Sequence, residues 1–189
     1  MSVGYLSNRL TTFGNDKAIG EGVGLRVGKN FNLTYNLNMT TSLLGNFASL
    51  RSDIDSGINK TVFFDSEIAE YGISQRLSYD LNSSNTIFRP FLEAQISRGN
   101  MSTDLVGFDS YSQDAKYTKY GAAIGFQIVL ENNIVPFAIY DVSKSKAYSI
   151  THTEGLSSSS LFNTNTTFVH QEIRTVTSRT LIIGLGFLF

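Results

Sequence analysis

Apolar and polar residues alternate with a period of two along most of the chain, which is typical of β-strands with two different faces. The run that starts at Phe31 has apolar residues at alternate positions and Asn, Thr or Ser between them; the apolar members are Leu33, Tyr35, Leu37, Met39 and Leu43. Similar runs cover residues 120–130 and 181–189. Helical periodicity is nearly absent, so the pattern predicts an all-β fold.

The glycine-rich face of one strand indicates which kind of β fold this is. Apolar Val23, Leu25 and Val27 alternate with glycines and with Arg26. A face of glycine and arginine is unsuited to the core of a β-sandwich, but it suits the crowded polar interior of a narrow barrel. The apolar face would then point outward.

The connections between strands alternate between short and long, as in outer-membrane barrels. We expect tight turns at residues 29–30, 80–85 and 131–133, and longer polar segments at 45–60, 98–115 and 144–165, with a shorter one at 14–17. Between these breaks we predict eight strands, at 3–13, 18–29, 31–43, 61–79, 86–97, 116–130, 134–143 and 166–189. The even number is the one that a single-chain bacterial barrel requires.

The fold prediction is therefore a single domain over residues 1–189, a closed antiparallel transmembrane β-barrel of about eight up-and-down strands. No apolar run approaches the ~18 to 20 residues of a transmembrane helix, so strands would make any crossing. The first residues lack a secretory signal peptide, which favours a mature chain with an added methionine over a cytoplasmic protein.

Two strand openings and the last strand carry a resemblance to a known family. Pro90-Phe91 and Pro136-Phe137 each follow a predicted tight turn, and the final apolar alternation ends at Phe189. The chain thus resembles the small outer-membrane barrels that include the OmpA transmembrane domain, the OmpX/Ail adhesion proteins and OmpW. The resemblance implies a bacterial outer-membrane location, contact with outer-membrane lipids, and a C-terminal signal for the barrel-assembly machinery formed by Leu185, Phe187 and Phe189.

Charged residues fall on the predicted inner face at several heights. If the apolar faces meet lipid, the inward charges form an interior network of Arg26, Glu70, Arg76, Arg89, Glu93 and Asp141. An unpaired buried charge costs several kcal/mol, so we expect these groups to pair and to plug the lumen. Two interpretations stay open: the pairs simply fill a narrow barrel, or they rearrange to open a small pore.

Two segments predict strands that rise above the membrane. Alternation in the last strand continues upstream through residues 167–175, and residues 61–70 extend another strand in the same way, although ~10 residues suffice to cross a bilayer. The exposed sheet edge could bind a protein by strand addition, and the polar loops with isolated aromatics could contact proteins or glycans. Inert loops are the alternative. We expect a monomer.

Catalysis, metal binding and nucleotide binding are not expected. The chain has no cysteine, and its two histidines, His152 and His170, lack a serine fixed beside them, although His170 and Glu172 share a face. The glycines at 20–24 follow a period of two with no helix after them, which is wrong for a phosphate loop. A net charge of -1 gives no reason to expect nucleic acid. No cofactor is expected.

The leading function predicted is a structural and interaction protein, a membrane anchor whose loops serve adhesion, partner binding or envelope integrity. A narrow gated pore for ions or small solutes is the second candidate. A soluble lipocalin-like lipid binder is a distant third, because it would turn the apolar faces inward and expose the glycine-rich strips.

Overall fold

The structure is a computed structural model that describes the backbone of residues 2–11, 17–54, 62–83, 85–106, 111–154, 167–168 and 175–188. The strands in these residues are β1 (Ser2–Thr11), β2 (Lys17–Asn32), β3 (Leu37–Ile54), β4 (Val62–Tyr79), β5 (Leu81–Ser83), β6 (Thr86–Val106), β7 (Tyr111–Leu130), β8 (Ile134–Glu154), β9 (Thr167–Phe168) and β10 (Thr175–Phe187). Within these ranges no helix is long and apolar enough to span a membrane.

Eight of the described strands form a closed barrel. Strands β1, β2, β3, β4, β6, β7, β8 and β10 pair with their neighbours in antiparallel order, and β10 pairs with both β8 and β1, which closes the ring. The short strands β5 and β9 pair with β6 and β8. The predicted all-β class, the antiparallel barrel and its eight strands are confirmed.

The barrel strands are staggered by a defined amount. Following paired residues once around the ring from Val27 leads back to β2 at Lys17, ten residues away (27 − 17), through Leu43, Ile73, Ile96, Tyr120, Lys144, Thr177 and Thr11. A stagger of this kind tilts the strands relative to the barrel axis. From one strand to the next in this direction around the ring, the register partner therefore lies slightly more than one residue nearer the end of the barrel that carries the long connections.

The two faces of each strand differ as the alternation predicts. Apolar side chains point away from the barrel, with Leu43 66 % and Ile124 61 % exposed, whereas the intervening positions are largely buried. The inner glycines make room for aromatic rings. A Cβ on Gly125 would lie 2.6 Å from the Phe91 ring, and one on Gly99 would lie 2.4 Å from the Tyr117 ring. In both cases the ring belongs to the glycine's register partner on the neighbouring strand, so glycine is required where an inward ring lies beside it.

The turn predicted at residues 29–30 is wrong. Asn30 and Asn32 continue the pairing of β2 with β3, so the chain turns at residues 33–36 instead. The Leu37 backbone amide donates to the Thr34 hydroxyl, which stabilises this turn. As a consequence Tyr35 is 92 % exposed in the turn and does not belong to the membrane-facing surface. The predicted turn at 131–133 is confirmed, with Asn133 at a positive φ of 61°.

The long polar segments predicted at 45–60, 98–115 and 144–165 begin too early or end too late. Strand β3 continues to Ile54, β6 to Val106 and β8 to Glu154, while β7 already begins at Tyr111. Sequence reasoning ended the strands where the outward residues become polar. The inward alternation persists, because Leu50, Thr103 and Ala115 are buried. The last strand predicted at 166–189 is represented by β9 and β10, and residues 169–174 lie outside the described ranges.

Candidate functional site

The interior of the barrel holds charged and polar side chains in successive layers, starting near the short turns. The lowest layer is a bidentate ion pair in which Arg89 donates from Nε to Asp80 Oδ1 at 2.5 Å and from Nη2 to Oδ2 at 2.9 Å. Arg89 follows the turn at the start of β6, and Asp80 follows β4. Both side chains are nearly buried, so this pair closes part of the lower opening.

The next layer is a buried triad of two arginines and one carboxylate. Arg76 and Glu93 are direct register partners on β4 and β6, and Arg76 Nε donates to Glu93 Oε2 at 2.9 Å. Arg26 extends from β2 across the lumen and donates from Nη1 to Glu93 Oε1. The Arg76 guanidinium also lies 3.8 Å from the centroid of the Phe91 ring. The Glu93 side chain is only 1 % exposed, so its charge is compensated by the protein.

A cavity of about 90 Å³ lies at the lower end of the barrel, next to the triad. Its wall includes Arg26, Arg76 and Arg89 together with small and polar residues of β2 and β3 such as Ser42. This space is large enough to hold a few water molecules beside the triad.

Asp141 is held by neutral donors rather than by an arginine. Gln95 Nε2 donates to Asp141 Oδ1 at 2.6 Å, and Ser143 Oγ donates to Oδ2 at 3.0 Å. Ser143 also shares a hydrogen bond of 2.7 Å with Ser178 on β10. Asp141 is 2 % exposed, and it lies on β8, two strands from Gln95 on β6.

The upper charged layer is centred on Glu70. Tyr117 donates its hydroxyl to Glu70 Oε1 at 2.6 Å, and Lys119 Nζ lies 2.5 Å from Oε2. Asn46 Nδ2 donates to Oε2 at 3.3 Å. Both oxygens of this carboxylate thus accept hydrogen bonds, which offsets much of the cost of its burial.

Apolar clusters complete the filling and make the interior less polar than predicted. One cluster above Glu70 consists of Ala48, Leu50, Ile68, Tyr117 and the partly buried Met101, and we call it the upper apolar cap. A second cluster lies lower in the barrel and consists of Phe91, Ala123, Phe137, Ile139 and Ile182. The upper apolar cap was missed because three of its residues, Ala48, Leu50 and Met101, fall in segments predicted as loops.

The six residues predicted to form one network are placed in separate layers. Arg26, Arg76 and Glu93 meet directly, whereas Arg89, Glu70 and Asp141 contact residues outside the predicted set, namely Asp80, Lys119, Tyr117, Gln95 and Ser143. Lys119 could have been found, because it precedes Gly121 by two residues on the inward face of β7. Asp80 had no such signal, since it lies within a predicted turn.

Other candidate residues fall outside any described site. Within the described ranges no group of three or more His, Cys, Asp or Glu side chains could hold a metal ion. The side chains of His152, His170 and Glu172 lie outside the described residues. The glycines at 20–24 lie in β2, which is a strand and not a phosphate-binding loop. Of the predicted assembly signal, Leu185 and Phe187 face outward, and Phe189 lies outside the described residues.

Comparison with known families identifies the barrel. The model of the outer membrane protein beta-barrel domain family matches residues 1–159. The chain belongs to this family. The predicted family and the location in the bacterial outer membrane are thereby confirmed, and the soluble lipocalin-like alternative is wrong. In outer membrane protein beta-barrels the short turns face the periplasm and the long connections face the medium.

Two solved structures resemble this outer membrane beta-barrel in part. The attachment invasion locus protein Ail of Yersinia pestis is 16% identical, with 100% of this chain and 95% of that chain covered and a TM-score of 0.36. The transport unit of the autotransporter AIDA-I from Escherichia coli is 8% identical, with 100% of this chain and 89% of that chain covered and a TM-score of 0.40. No curated protein matches the chain.

Proposed function

We propose that this barrel is a membrane anchor with a plugged interior and without catalytic activity. Its raised sheet and loops contact a protein or glycan partner, or the barrel supports the integrity of the envelope. The interior supports a plug, because each layer from the Arg89–Asp80 pair to the upper apolar cap is occupied by side chains that contact one another. Moving any charged member alone would expose an uncompensated charge. The barrel acts as a monomer and is inserted by the assembly machinery through Leu185, Phe187 and Phe189.

The lengths of the strands carry the second half of the proposal. Strands β3 and β4 have 18 residues each, β6 and β8 have 21 each, and β7 has 20. About 9 to 11 residues suffice for a tilted strand to cross a bilayer. The excess lies on the side of the long connections, so five adjacent strands extend as a sheet into the medium. Within the described ranges, Ser52, Asp53 and Ile54 of β3 lie beyond the last register partner on β2, and this edge would accept a partner strand.

A narrow pore is the second candidate, and the cavity beside Arg26, Arg76 and Arg89 favours it, since it occupies the lower opening of the barrel. Conduction would require the Glu93 triad and the upper apolar cap both to move. The refolded chain is expected to be silent in planar bilayers. A wild-type conductance that Glu93→Gln or Asp141→Asn abolishes or enlarges would instead support the pore.

The partner proposal is tested on cells that display the chain, with an array of immobilised glycans and extracellular proteins as the probe. Binding through the raised elements should be lost when residues 155–166 are deleted. Refolding, measured by the shift of the folded band on gels, should stay unchanged, because this deletion spares β8 and β10. The matched control shortens the turn at 33–36 on the periplasmic side. Equal binding by the deletion variant and the wild type would contradict a role for this connection.

A further inference from the structure

The outward face of three strands changes abruptly from apolar to basic. On β6 the outward residue above Ile96 is Arg98, and on β8 the outward residue above Val142 is Lys144. On β10 the outward residue above Leu181 is Arg179. The apolar members are 42 to 51 % exposed, and the basic residues are exposed as well.

Further basic residues lie directly above this row on the same side of the barrel. Lys146 follows Lys144 on the outward face of β8, and Lys116 lies four residues above Tyr120 on β7. We call the whole set the basic belt, which comprises Arg98, Lys116, Lys144, Lys146 and Arg179. The outward acidic residues of β6 and β7, Asp104 and Asp114, lie further from the membrane.

The stagger of the barrel brings the lower row of the belt, Arg98, Lys144 and Arg179, to nearly one height. Ile96 on β6 pairs with Tyr120 on β7, and Tyr120 pairs with Lys144 on β8. Two steps from strand to strand therefore lead from Ile96 to Lys144. Because paired residues climb by slightly more than one residue per strand in this direction, Lys144 lies about two residues above Ile96, level with Arg98. On the neighbouring strand β10, Arg179 is the register partner of Val142, and the same stagger places it about one residue below Lys144.

The other side of the barrel has a different character at this height. Outward positions above Tyr71 on β4 are Ala69, Glu67 and Asp65, and on β2 the outward residue above Val23 is Glu21. Among the described side chains, the sector formed by β6, β7, β8 and β10 carries five outward basic residues near this boundary, whereas the outward Arg51 of β3 is the register partner of Asp65 on β4. A uniform requirement for solubility would not produce this asymmetry.

We propose that the basic belt binds the phosphate groups of anionic lipids in the outer leaflet. The belt begins where the apolar band and Tyr120 end, which is the level of lipid headgroups. The long lysine and arginine stems can lie along the apolar surface while the charged ends reach headgroup phosphates. A soluble anion would not need the belt to follow the membrane boundary over several strands. The acidic sector would exclude such lipids from the opposite side.

The test uses the full chain refolded into phosphatidylcholine vesicles that contain a trace of spin-labelled lipid. Electron spin resonance gives the association of spin-labelled phosphatidic acid relative to spin-labelled phosphatidylcholine. A net basic contact near the surface predicts a preference of about fivefold for phosphatidic acid. The preference should fall towards one in the double variant K144Q/K146Q, and also in the wild type at high salt, because exposed charges are screened.

The matched control is K29Q/R51Q, which removes the same number of positive charges at exposed positions outside the belt. It should retain the preference. If K144Q/K146Q does not fold, R98Q/R179Q provides the same measurement. A wild type without preference, or a belt variant that keeps it while folded, would overturn the proposal, as would suppression of the preference by soluble glycerol phosphate at the concentration of the labelled lipid.

Discussion

Replacing Glu93 by glutamine is expected to lower the free energy of unfolding by about 3–5 kcal/mol. Glu93 is the carboxylate on which Arg26 and Arg76 converge, and its side chain is 1 % exposed. The variant keeps the shape of the side chain but leaves two buried guanidinium groups without a compensating charge. Urea unfolding of the chain in lipid vesicles, followed by the fraction of folded band on gels, measures the loss.

The control for this variant is Glu67→Gln, which removes the same charge from an exposed outward position on β4. Its effect should stay within about 0.5 kcal/mol. A loss of less than about 1 kcal/mol for Glu93→Gln would mean that water or another group compensates the arginines, and the triad would then not hold the lower interior together.

Replacing Ile124 by arginine is expected to destabilise the barrel in lipid by about 2–4 kcal/mol. Ile124 is 61 % exposed on the outward face of β7. It lies between Tyr120 and Leu130, which places it near the middle of the apolar band. An arginine there must bring its charge into hydrocarbon or distort the bilayer. The measurement is again urea unfolding in vesicles.

Asn100→Arg is the matched control for the lipid-facing variant, because Asn100 is an exposed outward residue of β6 above the apolar band. The same new side chain should change the free energy of unfolding there by no more than about 0.5 kcal/mol. Equal effects at the two positions would indicate that Ile124 does not contact hydrocarbon.

The membrane-crossing part of the fold could be predicted from the sequence because the two faces of each strand have different surroundings. The outward face contacts hydrocarbon, and the inward face lines the polar interior of the barrel. Leu43 and Ile124 repeat with the period of the pleat, and glycine or charged residues fill the positions between them. Above the bilayer the outward face meets water instead of hydrocarbon. The outward alternation then disappears, and the upper parts of β3 and β6 were predicted as polar loops although Leu50 and Thr103 are buried.

The charged interior could be predicted in content but not in pairing. Alternation alone gives the inward direction of Arg26, Arg76 and Glu93, and their heights are close enough for contact. Pairing across the lumen depends on the stagger of the barrel, which no local pattern encodes. The sequence therefore could not indicate that Gln95 donates a hydrogen bond to Asp141 and that Lys119 pairs with Glu70.

The most direct test of the account compares nitroxide labels at two consecutive residues of β3, Ser42 and Leu43. The chain has no cysteine, so S42C and L43C each carry a single label. Leu43 points outward and Ser42 lines the lower cavity. In vesicles the label at 43 should be relaxed strongly by oxygen, which concentrates in hydrocarbon, and little by a water-soluble nickel chelate, whereas the label at 42 should be relaxed less by oxygen than the label at 43. Relaxation of the label at 43 by the nickel chelate would contradict the account.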